Sequence, residues 1–383
     1  MTNGASRGVR VCVLGECLRG APDEGVRKST LALAGALSRR HDVSILAAEP
    51  ALGTGAEIPV QPATGMAAGE IHIVATNRTF LGGGLRRELE RLDPDVLVYA
   101  ARSSTTFMAF LRCMVLRVFR PRTTQVLVGM QRRVHPRWQR PFLRYLAPHL
   151  ICVQSEESRR YLSSQGCRVI RLPSGIDLDT YRPASPETRA RLREEYGFSA
   201  DVPVVLHVGH LKKSRGVHVL ASLASSGACA VVLVASSSTV QDQRMANALR
   251  EAGVRLFTEY VPAIHELYQL ADCYVFPVQS ADDAIEVPLS VLEAFACDLP
   301  VVTTRFGDLP ALFDRPDMRS GVVFVETPVE LCAEAARMSR AWSGGAGTRP
   351  LALPYSWDAV AERLLAGVGL GSEAVVDEVC TCR

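Results

Sequence analysis

Short apolar runs alternate with longer stretches of helical spacing along the first half of the chain. The run Val9–Leu14 is followed by a glycine-containing loop, and Ser29–Arg39 then places apolar side chains three and four positions apart. That spacing predicts a helix with one buried face, and the short runs are typical of buried strands. Further strands are predicted at Val43–Ala47, Asp95–Tyr99, Gln125–Val128 and Leu150–Val153, with Ser155 as the N-cap of the next helix. Alternating strands and helices favour a parallel, doubly wound sheet.

The same alternation restarts in the second half, after a stretch rich in turn residues. The charged segment Thr188–Tyr196 and the segment Val217–Leu223 are predicted helices. Strands are predicted at Val204–Val208, Ala230–Ala235, Arg255–Phe257, Cys273–Pro277, Val301–Thr303 and Val322–Val325. We therefore expect an α/β protein of two Rossmann-like domains, 1–185 and 186–350, facing across a cleft that binds ligands beyond the carboxyl ends of the strands. The small, acidic tail over 368–383 is predicted to be flexible.

The composition is that of an ordinary globular protein, with 48% hydrophobic and 22% charged residues. These values exclude a disordered chain, a collagen-like repeat and a coiled coil. No apolar run approaches the roughly 18 residues of a membrane-spanning helix, and the start of the chain predicts no secretory leader. The 11 cysteines are scattered, with Cys380 and Cys382 as the close pair, and favour reduced, mostly buried thiols in the cytoplasm.

The net charge of +3 hides a segregation of charge. The segment Val96–Ser155 has no Asp or Glu and contains ten arginines: Arg102, Arg112, Arg117, Arg120, Arg122, Arg132, Arg133, Arg137, Arg140 and Arg144. Such an arginine window indicates an anionic partner, or else a solvated arginine-rich face without one. It has no interleaved exposed aromatic residue beyond Trp138, so a nucleic acid is not expected.

The apolar segment Phe107–Phe119 lies inside this window. Together with the arginines it is a candidate for docking on the inner face of an anionic membrane, where it would receive a lipid-phosphate acceptor. The alternative, which we favour for the helix itself, is a buried helix whose Arg112 and Arg117 reach its rim. A soluble anionic sugar is another partner that the arginines would suit.

One candidate site lies in Asp282–Pro300. There Glu293 stands among apolar residues of the predicted helix Val291–Ala296, just after a proline-containing loop. A carboxylate in this place suits two adjacent ribose hydroxyls, and the amides at the helix N-terminus favour a phosphate or a developing anion. A capping or salt-bridged glutamate is the alternative.

A second candidate site lies in Val208–Val217, where a loop follows a predicted strand. It carries Gly209, His210, Lys212, Lys213 and Arg215, and so two of only three lysines in the chain. Glycine permits the close approach of a diphosphate, and the cations balance its charge. The alternative is a solvated basic loop, and the pattern of a Walker loop is absent.

Taken together, these segments resemble the family-four retaining glycosyltransferases of the GT-B fold, which use nucleotide sugars. The stretches that carry the likeness are Ile151–Glu156, Leu172–Asp177, Tyr181–Pro183, Leu267–Pro277, Pro288–Ala296, Leu299–Thr303 and Tyr355–Leu364. Their order and spacing along nearly the whole chain are specific. The resemblance implies a GT-B fold, a terminal helix over 351–367 that crosses back to the first domain, and transfer of a sugar to an unidentified acceptor. We expect a UDP-sugar as donor, with a GDP-sugar next.

The resemblance also assigns roles to residues of the donor loop. It implies that Glu293 holds the nucleotide ribose. The first acid of the family pattern falls on Ile285, which is a departure, and Glu286 takes its place as the candidate contact to the sugar. The backbone near the donor sugar would be that of Val287, Pro288 and Leu289.

Other positions depart from the family in ways that retain hydrogen-bond donors. His210 stands where the family usually has Arg, and Arg215 where it usually has Lys. In the first domain, Glu24 and Gly25 lie where the family has a glycine-rich loop beside the acceptor and phosphates. A histidine of the family has no counterpart, and Gln131 is the nearest match.

The mechanism that this implies depends on charge. Breaking the bond between nucleotide and sugar builds negative charge on the diphosphate, which Lys213, Arg215 and loop amides would stabilise, with Glu286 acting at the sugar. The resemblance implies retention of anomeric configuration. We expect no metal, because protein cations replace it and the Asp-x-Asp pairs Asp93/Asp95 and Asp177/Asp179 lie outside the donor loops. No permanently bound cofactor is expected.

Other functions stay open alongside the glycosyltransferase. One is a nucleotide-sugar-binding module without catalysis, for which Ile285 and Gln131 argue. An epimerase on the same fold would need acids and histidines around the sugar, and the same two residues argue against it. A phosphorylase would need a lysine for pyridoxal phosphate, and none of the three is well placed.

Overall fold

The computed structural model describes residues 8–16, 18, 25–50, 71–235, 241–280, 284–314, 321–342 and 344–370. The chain divides into two compact units. The first comprises Met1–Pro173 and Trp357–Arg383, and the second comprises Ser174–Ser356. Each unit contains a parallel sheet flanked by helices, which confirms the predicted α/β class.

The seven strands of the first unit are parallel and stand in the order β3-β2-β1-β4-β5-β6-β7. They are β1 (Arg10–Glu16), β2 (Asp42–Pro50), β3 (Ile71–Thr76), β4 (Val96–Ala100), β5 (Thr124–Gly129), β6 (Leu150–Val153) and β7 (Val169–Arg171). Helices α1 (Gly25–Ser38), α2 (Gly83–Leu92), α3 (Phe107–Phe119), α4 (Arg140–Leu146) and α5 (Glu156–Ser164) connect them. Central strands such as β4 and β6 are buried along their whole length, which explains their uninterrupted apolar sequences.

The sequence predicted five of these strands and missed β3 and β7, the two edges of the sheet. An edge strand needs no continuous apolar run, because it is covered less completely than a central one. In β3 only Val74 and Thr76 are buried, and β7 contains no fully buried residue. Ser155 does cap α5, since its hydroxyl accepts a hydrogen bond from the Ser158 amide at 3.1 Å.

The second unit contains six parallel strands in the order β10-β9-β8-β11-β12-β13. They are β8 (Val204–Gly209), β9 (Ala230–Ala235), β10 (Arg255–Phe257), β11 (Cys273–Phe276), β12 (Val301–Thr304) and β13 (Val322–Val325). The helices are α6 (Pro186–Glu195), α7 (Val219–Ser225), α8 (Gln243–Glu251), α9 (Ile264–Leu270), α10 (Leu289–Ala296), α11 (Leu309–Phe313), α12 (Pro328–Ala341) and α13 (Arg349–Ala352). All six strands match predicted ones.

The second unit begins at Ser174, upstream of the predicted boundary after residue 185. The intervening residues are fixed to this unit by hydrogen bonds and packing. The amide of Ile176 donates to the carbonyl of Tyr355 at 2.8 Å, and Arg349 donates to the carbonyl of Tyr181 at 3.0 Å. The Tyr181 ring belongs to the hydrophobic core of the second unit. Turn-rich composition therefore marked a packed segment rather than a linker.

The end of the described chain returns to the first unit. The last helix, α14 (Trp357–Gly367), packs on α1, where Asp358 pairs with Arg39 and Glu362 pairs with Arg40. The span 351–367, predicted as one terminal helix, contains the end of α13, a 3-10 turn at Leu353–Tyr355 and α14. Residues 371–383 of the predicted tail lie outside the described residues.

Two further findings concern the helices and the cysteines. None of the described helices combines the length and the apolar composition that a membrane crossing requires. Among the described residues, eight cysteines are free thiols and all of them except Cys332 are buried.

Candidate functional site

The strand order of the second sheet reverses between β8 and β11, which pair side by side. The connections that follow the two strands pass to opposite faces of the sheet at such a point. A crevice therefore opens at the carboxyl ends of the strands, where α/β proteins bind ligands. β8 ends at Gly209 and β11 ends at Phe276. The cationic segment predicted from the sequence follows β8 directly and therefore lies at this point.

The residues after β8 form a loop that ends in a 3-10 turn at Lys213–Arg215. Gly216 follows with a φ of +72°, and a Cβ atom there would lie 2.5 Å from the carbonyl oxygen of Pro277. Only glycine allows this approach, so the loop is fixed against the segment after β11. Lys212 and Lys213 are exposed, whereas Arg215 is only 6% exposed. The loop presents two solvated ammonium groups and one nearly buried guanidinium.

His207, inside β8, is fully buried. Its Nδ1 lies 2.9 Å from the carbonyl oxygen of Val275, and because a carbonyl only accepts, Nδ1 carries the proton. Burial lowers the pKa of His207 to about 3, so the ring is neutral. A Cβ atom on Gly209 would lie 3.0 Å from Nε2 of His207 and 3.3 Å from Cζ of Arg215. His210, which the sequence predicted at the diphosphate, is half-buried.

Glu293 lies on α10 and is 3% exposed. The phenol of Tyr268, fully buried on α9, donates to Oε2 of Glu293 at 2.7 Å. Burial and the charge of Glu293 raise the pKa of Tyr268 well above its ordinary value, so the phenol stays a proton donor. The Tyr268 ring stacks on Tyr274, with centroids 5.7 Å apart. A packed tyrosine therefore orients the predicted ribose-binding carboxylate.

That Tyr268 orients Glu293 was not predicted from the sequence. The residue lies within Leu267–Pro277, a stretch that carries the family resemblance, but 25 positions separate it from Glu293. No periodicity connects the two, because they stand on different helices. A buried tyrosine near a buried carboxylate becomes evident only in three dimensions.

The loop before α10 packs against the turn before α11. The amide of Asp308 donates to the carbonyl of Glu286 at 3.1 Å, and a Cβ atom on Gly307 would lie 2.3 Å from that same oxygen. The side chain of Glu286 is buried. The other predicted residues here are Val287 in the hydrophobic core, Pro288 at the N-cap of α10 and Leu289 as its first residue.

The predicted residues of the first domain lie in the other unit. Gln131 follows β5, and its backbone carbonyl accepts a hydrogen bond from the Ser104 hydroxyl at 2.6 Å. Its side-chain oxygen accepts from Arg133 at 2.6 Å. Gly25 is the first residue of α1, and Glu24 lies outside the described residues. The structure therefore groups the donor residues in the second unit and leaves Gln131 and Gly25 in the first.

A buried ion pair occupies the equivalent reversal point of the first sheet, between β1 and β4. Arg112, on α3, donates to both carboxylate oxygens of Glu16 at 2.8 Å, and the Tyr99 phenol donates to the same carboxylate at 2.5 Å. Arg117 donates to the backbone carbonyls of Tyr145 and Ala147. Helix α3 is thus the buried helix that we favoured, but Arg112 forms an internal ion pair instead of reaching the rim.

The exposed aromatic residues of the arginine window lie on and beside α4. Trp138, Phe142 and Tyr145 are 65%, 53% and 60% exposed, and Arg137 and Arg144 are exposed among them. We call these five residues the aromatic–arginine surface. The expectation of no exposed aromatic beyond Trp138 is wrong, because the short helix α4 buries only Leu143 and turns its other large side chains outward.

No group of three or more potential metal ligands occurs among the residues that the structure describes. The Asp-x-Asp pairs serve internal contacts. Asp93 and Asp95 accept hydrogen bonds from Arg10 at 3.1 Å and 3.0 Å, and Asp177 accepts one from the Asp179 amide at 3.0 Å. Asp93, Asp95 and Asp177 therefore use their carboxylates in contacts within the fold.

Two family models match the chain. One is described as Glycosyltransferase Family 4 and matches residues 24–180, and the other is described as Glycosyl transferases group 1 and matches residues 202–340. The chain belongs to the family-four glycosyltransferases. The second match spans all six strands of the second unit together with the cationic loop and Glu293. This family-four chain is therefore matched in both of its units.

Curated relatives resemble parts of the family-four chain. The GDP-mannose-dependent alpha-(1-6)-phosphatidylinositol monomannoside mannosyltransferase of Mycolicibacterium smegmatis is 32% identical over 176 residues, 43% of this chain and 45% of the relative. The D-inositol 3-phosphate glycosyltransferase of Xylanimonas cellulosilytica is 29% identical over 233 residues, 55% of this chain and 54% of the relative. The chain spans about half the length of the curated relatives it matches.

Solved structures resemble the whole fold. The sucrose-phosphate synthase of Thermosynechococcus elongatus has a TM-score of 0.69 at 15% identity, covering 93% of this chain and 97% of that chain. HepE of Anabaena, in complex with UDP and glucose, has a TM-score of 0.67 at 15% identity, covering 94% and 99%. These likenesses and the two parallel sheets confirm the GT-B fold.

Proposed function

We propose that this family-four protein transfers a sugar from a nucleotide-sugar donor to an acceptor, with retention of anomeric configuration. The observation that carries the proposal is the pairing of two features in the second unit. Glu293, a carboxylate that accepts a hydrogen bond from the Tyr268 phenol, is the candidate to bind the ribose, and a cationic loop stands at the reversal point of the sheet. A nucleoside diphosphate needs both a hydroxyl acceptor and a phosphate-binding cation.

The proposed chemistry uses these cations at the leaving group. As the bond from sugar to diphosphate breaks, Lys213 and Arg215 would stabilise the charge that develops on the phosphates, with Lys212 and His210 alongside. Glu286 would contact the sugar, because the family's first acid is replaced by Ile285 in this chain. Since protein cations supply the positive charge, we propose that transfer proceeds without a metal ion.

The donor base is proposed from the relatives. The sequence alone favoured a UDP-sugar, but two curated relatives are named as GDP-mannose-dependent. That agreement favours a GDP-sugar as donor, with a UDP-sugar as the alternative to be tested beside it.

The first experiment is thermal-shift and calorimetric binding of GDP-mannose and UDP-glucose, with and without EDTA. We expect one donor to bind with EDTA present. Glu293→Ala should lower the affinity for that donor by at least about tenfold, as the loss of a charged hydrogen bond predicts. Glu334→Ala, which removes a half-buried carboxylate of α12 outside the candidate site, is the matched control. Equal binding by Glu293→Ala and the control would refute the assignment of the site.

A second experiment tests catalysis. Lys213→Ala combined with Arg215→Ala should slow transfer by more than about tenfold, because each preorganised donor stabilises the developing charge. Arg337→Ala, which removes an exposed arginine of α12, should leave the rate unchanged. Nuclear magnetic resonance of the first-formed product would give its anomeric configuration, and inversion would contradict the proposed mechanism. Tight donor binding without transfer or hydrolysis would instead identify a non-catalytic binding module.

For the acceptor, we propose that the first unit docks on an anionic membrane through the aromatic–arginine surface. Exposed aromatic rings beside arginines are the composition that interfacial segments use, the rings entering the headgroup region and the cations contacting lipid phosphates. The guanidinium of Arg144 lies over the Tyr145 ring, 4.4 Å from its centroid, so charge and ring already form one patch. This surface supports the proposal of a lipid-borne acceptor.

Vesicle co-sedimentation tests the docking. We expect binding to vesicles that contain phosphatidylinositol and not to pure phosphatidylcholine, with a decrease as salt rises. Trp138→Ala with Phe142→Ala should weaken binding, whereas Tyr260→Ala, an exposed aromatic of the second unit, should not. Equal behaviour of the two variants, or transfer to a soluble anionic sugar without any vesicle binding, would refute it.

A further inference from the structure

Two loops at the carboxyl edge of the first sheet contain the same kind of turn. One turn covers residues 77–80, after β3, and the other covers residues 101–104, after β4. In each turn the amide of the last residue donates to the carbonyl of the first, at 3.1 Å and 3.0 Å. The last residues, Phe80 and Ser104, have φ angles of +65° and +60°, which residues other than glycine rarely adopt. Such strain persists only where surrounding contacts hold it, and it is concentrated at ligand-binding sites.

The ion pair at the reversal point of the first sheet holds the first turn. The guanidinium of Arg112, which binds Glu16, also donates through Nε to the carbonyl of Arg78 at 2.9 Å. It lies over the ring of Phe80, 4.8 Å from the centroid. That ring is buried and packs edge-on against Tyr99 of β4, with centroids 5.4 Å apart. The backbone of Arg78 is therefore tied to the point of the sheet at which α/β proteins bind ligands.

The loop after β5 holds the second turn. The buried hydroxyl of Ser104 donates to the carbonyl of Gln131 at 2.6 Å and accepts from the amide of Gln131 at 3.2 Å. A Cβ atom on Gly129 would lie 2.8 Å from this hydroxyl, so only glycine leaves room for it. The backbone of Arg102, two residues before Ser104, is fixed by these contacts.

Arg78 and Arg102 occupy the same place in the two turns, directly after the first residue. Both side chains are exposed, and neither guanidinium forms a hydrogen bond or an ion pair with the residues that the structure describes. The neighbouring Arg132, after β5, differs in that it pairs with Glu157. Two rigid turns thus present two uncompensated cations at the ligand-binding edge of a parallel sheet. A guanidinium in such a place is suited to the paired oxygens of a phosphate group.

We propose that Arg78 and Arg102 bind a phosphate ester of the acceptor. This inference rests on the proposed function, in which the first unit receives the acceptor. The strands β2 and β1 stand between β3 and β4, so the two strand ends are about 14 Å apart, a span that two long side chains can close on one phosphate group. A phospholipid headgroup and a soluble sugar phosphate share this chemistry.

Calorimetry with glycerophosphoinositol, the soluble headgroup of phosphatidylinositol, tests the site. We expect the protein to bind it, and Arg78→Gln and Arg102→Gln each to lower the affinity about tenfold, because each variant loses a charge-assisted hydrogen bond. Arg122→Gln, which removes an exposed arginine at the amino end of β5, is the matched control and should bind like the unaltered protein. Since all three side chains are exposed, the variants should melt at the same temperature as the unaltered protein.

The phosphate is the part of the probe that the site has to recognise. Inositol, which lacks it, should bind equally weakly to the unaltered protein and to every variant. Affinity for glycerophosphoinositol should also decrease as salt rises, because both contacts are ionic. No binding by the unaltered protein, or full affinity in Arg78→Gln or in Arg102→Gln, would overturn the proposal.

Vesicles that contain phosphatidylinositol distinguish the two sources of the phosphate and separate this inference from the proposed function. If the protein ignores vesicles while glycerophosphoinositol still requires both arginines, the proposed membrane docking fails and the site takes a soluble phosphate ester. If vesicles bind through Trp138 and Phe142 while Arg78→Gln and Arg102→Gln retain full affinity for the headgroup, the docking stands and only the arginine site fails. We expect vesicle binding that depends on Trp138 and Phe142, and headgroup binding that depends on the two arginines.

Discussion

The hydrogen bond from Tyr268 to Glu293 allows a sharp test of the ribose-binding carboxylate. Tyr268→Phe removes only the hydroxyl and keeps the ring in its stack with Tyr274, so no cavity forms. A hydrogen bond to a charged group contributes about 1.5–3 kcal/mol net, and the acceptor here is 3% exposed. We expect the free energy of unfolding to fall by about 2 kcal/mol, measured by urea denaturation.

The effect on ligand binding is a separate quantity. Without the phenol, the carboxylate of Glu293 loses one of the contacts that set its direction, and restoring that direction when the ligand binds should cost about 1 kcal/mol. Since 1.4 kcal/mol corresponds to tenfold, the dissociation constant of the nucleotide should rise about fivefold. Calorimetric titration of the folded variant measures this directly.

Tyr274→Phe is the matched control for this experiment. Its ring is buried in the same stack, but its hydroxyl lies 3.3 Å from an uncharged acceptor, the carbonyl of Val208. It should cost less stability and leave the affinity for the nucleotide unchanged. Equal nucleotide affinity in Tyr268→Phe and in Tyr274→Phe would refute the reasoning that the phenol orients Glu293.

Three further predictions concern stability. Gly307→Ala should destabilise the protein and weaken donor binding, because its Cβ atom would lie 2.3 Å from a carbonyl oxygen of the donor loop. The control is Gly227→Ala, at a similarly positive φ but with nothing within 4 Å of the new Cβ atom. In thermal melting this variant should lose only about 1 kcal/mol of stability. Asp272→Ala should cost about 3–5 kcal/mol in urea, because it leaves the buried guanidinium of Arg193 without its carboxylate. His207 has a pKa of about 3 when folded and about 6.5 when unfolded, so in this range only the unfolded chain takes up the proton. Stability should fall by about 1.4 kcal/mol per pH unit from this residue as pH drops through the range, with a shallower slope in His207→Gln.

The fold was predictable to the extent that strands are buried. Ala230–Ala235, Arg255–Phe257 and Val322–Val325 have the same bounds in sequence and structure. Each begins within three residues of a glycine and ends just before a polar residue, which leaves little freedom in where the strand lies. In the edge strand Ile71–Thr76 only Val74 and Thr76 are buried, and this strand was not predicted from the sequence. The boundary near Ser174 was missed because proline and glycine mark turns in packed segments as well as in linkers.

The site was predictable where its residues are consecutive in the chain. Gly209 to Arg215 stand together after one strand, so their chemistry could be interpreted without a fold. The partners that orient these groups come from elsewhere: Tyr268 is 25 positions from Glu293, and Arg112 is 96 positions from Glu16. Such pairs depend on which helices and strands meet, and one sequence does not contain that information.

The arginine window shows why charge counting is insufficient. The absence of acids between Val96 and Ser155 suggested ten available cations, yet the fold supplies carboxylates from outside the segment: Arg112 pairs with Glu16, Arg120 with Asp93 and Arg132 with Glu157. Arginines bound in this way have part of their charge balanced and part of their motion removed. The candidate membrane contact therefore moves from Phe107–Phe119 to the aromatic–arginine surface of α4. Substitutions in α3 would disturb the core of the first unit, so vesicle experiments have to be made on Trp138 and Phe142.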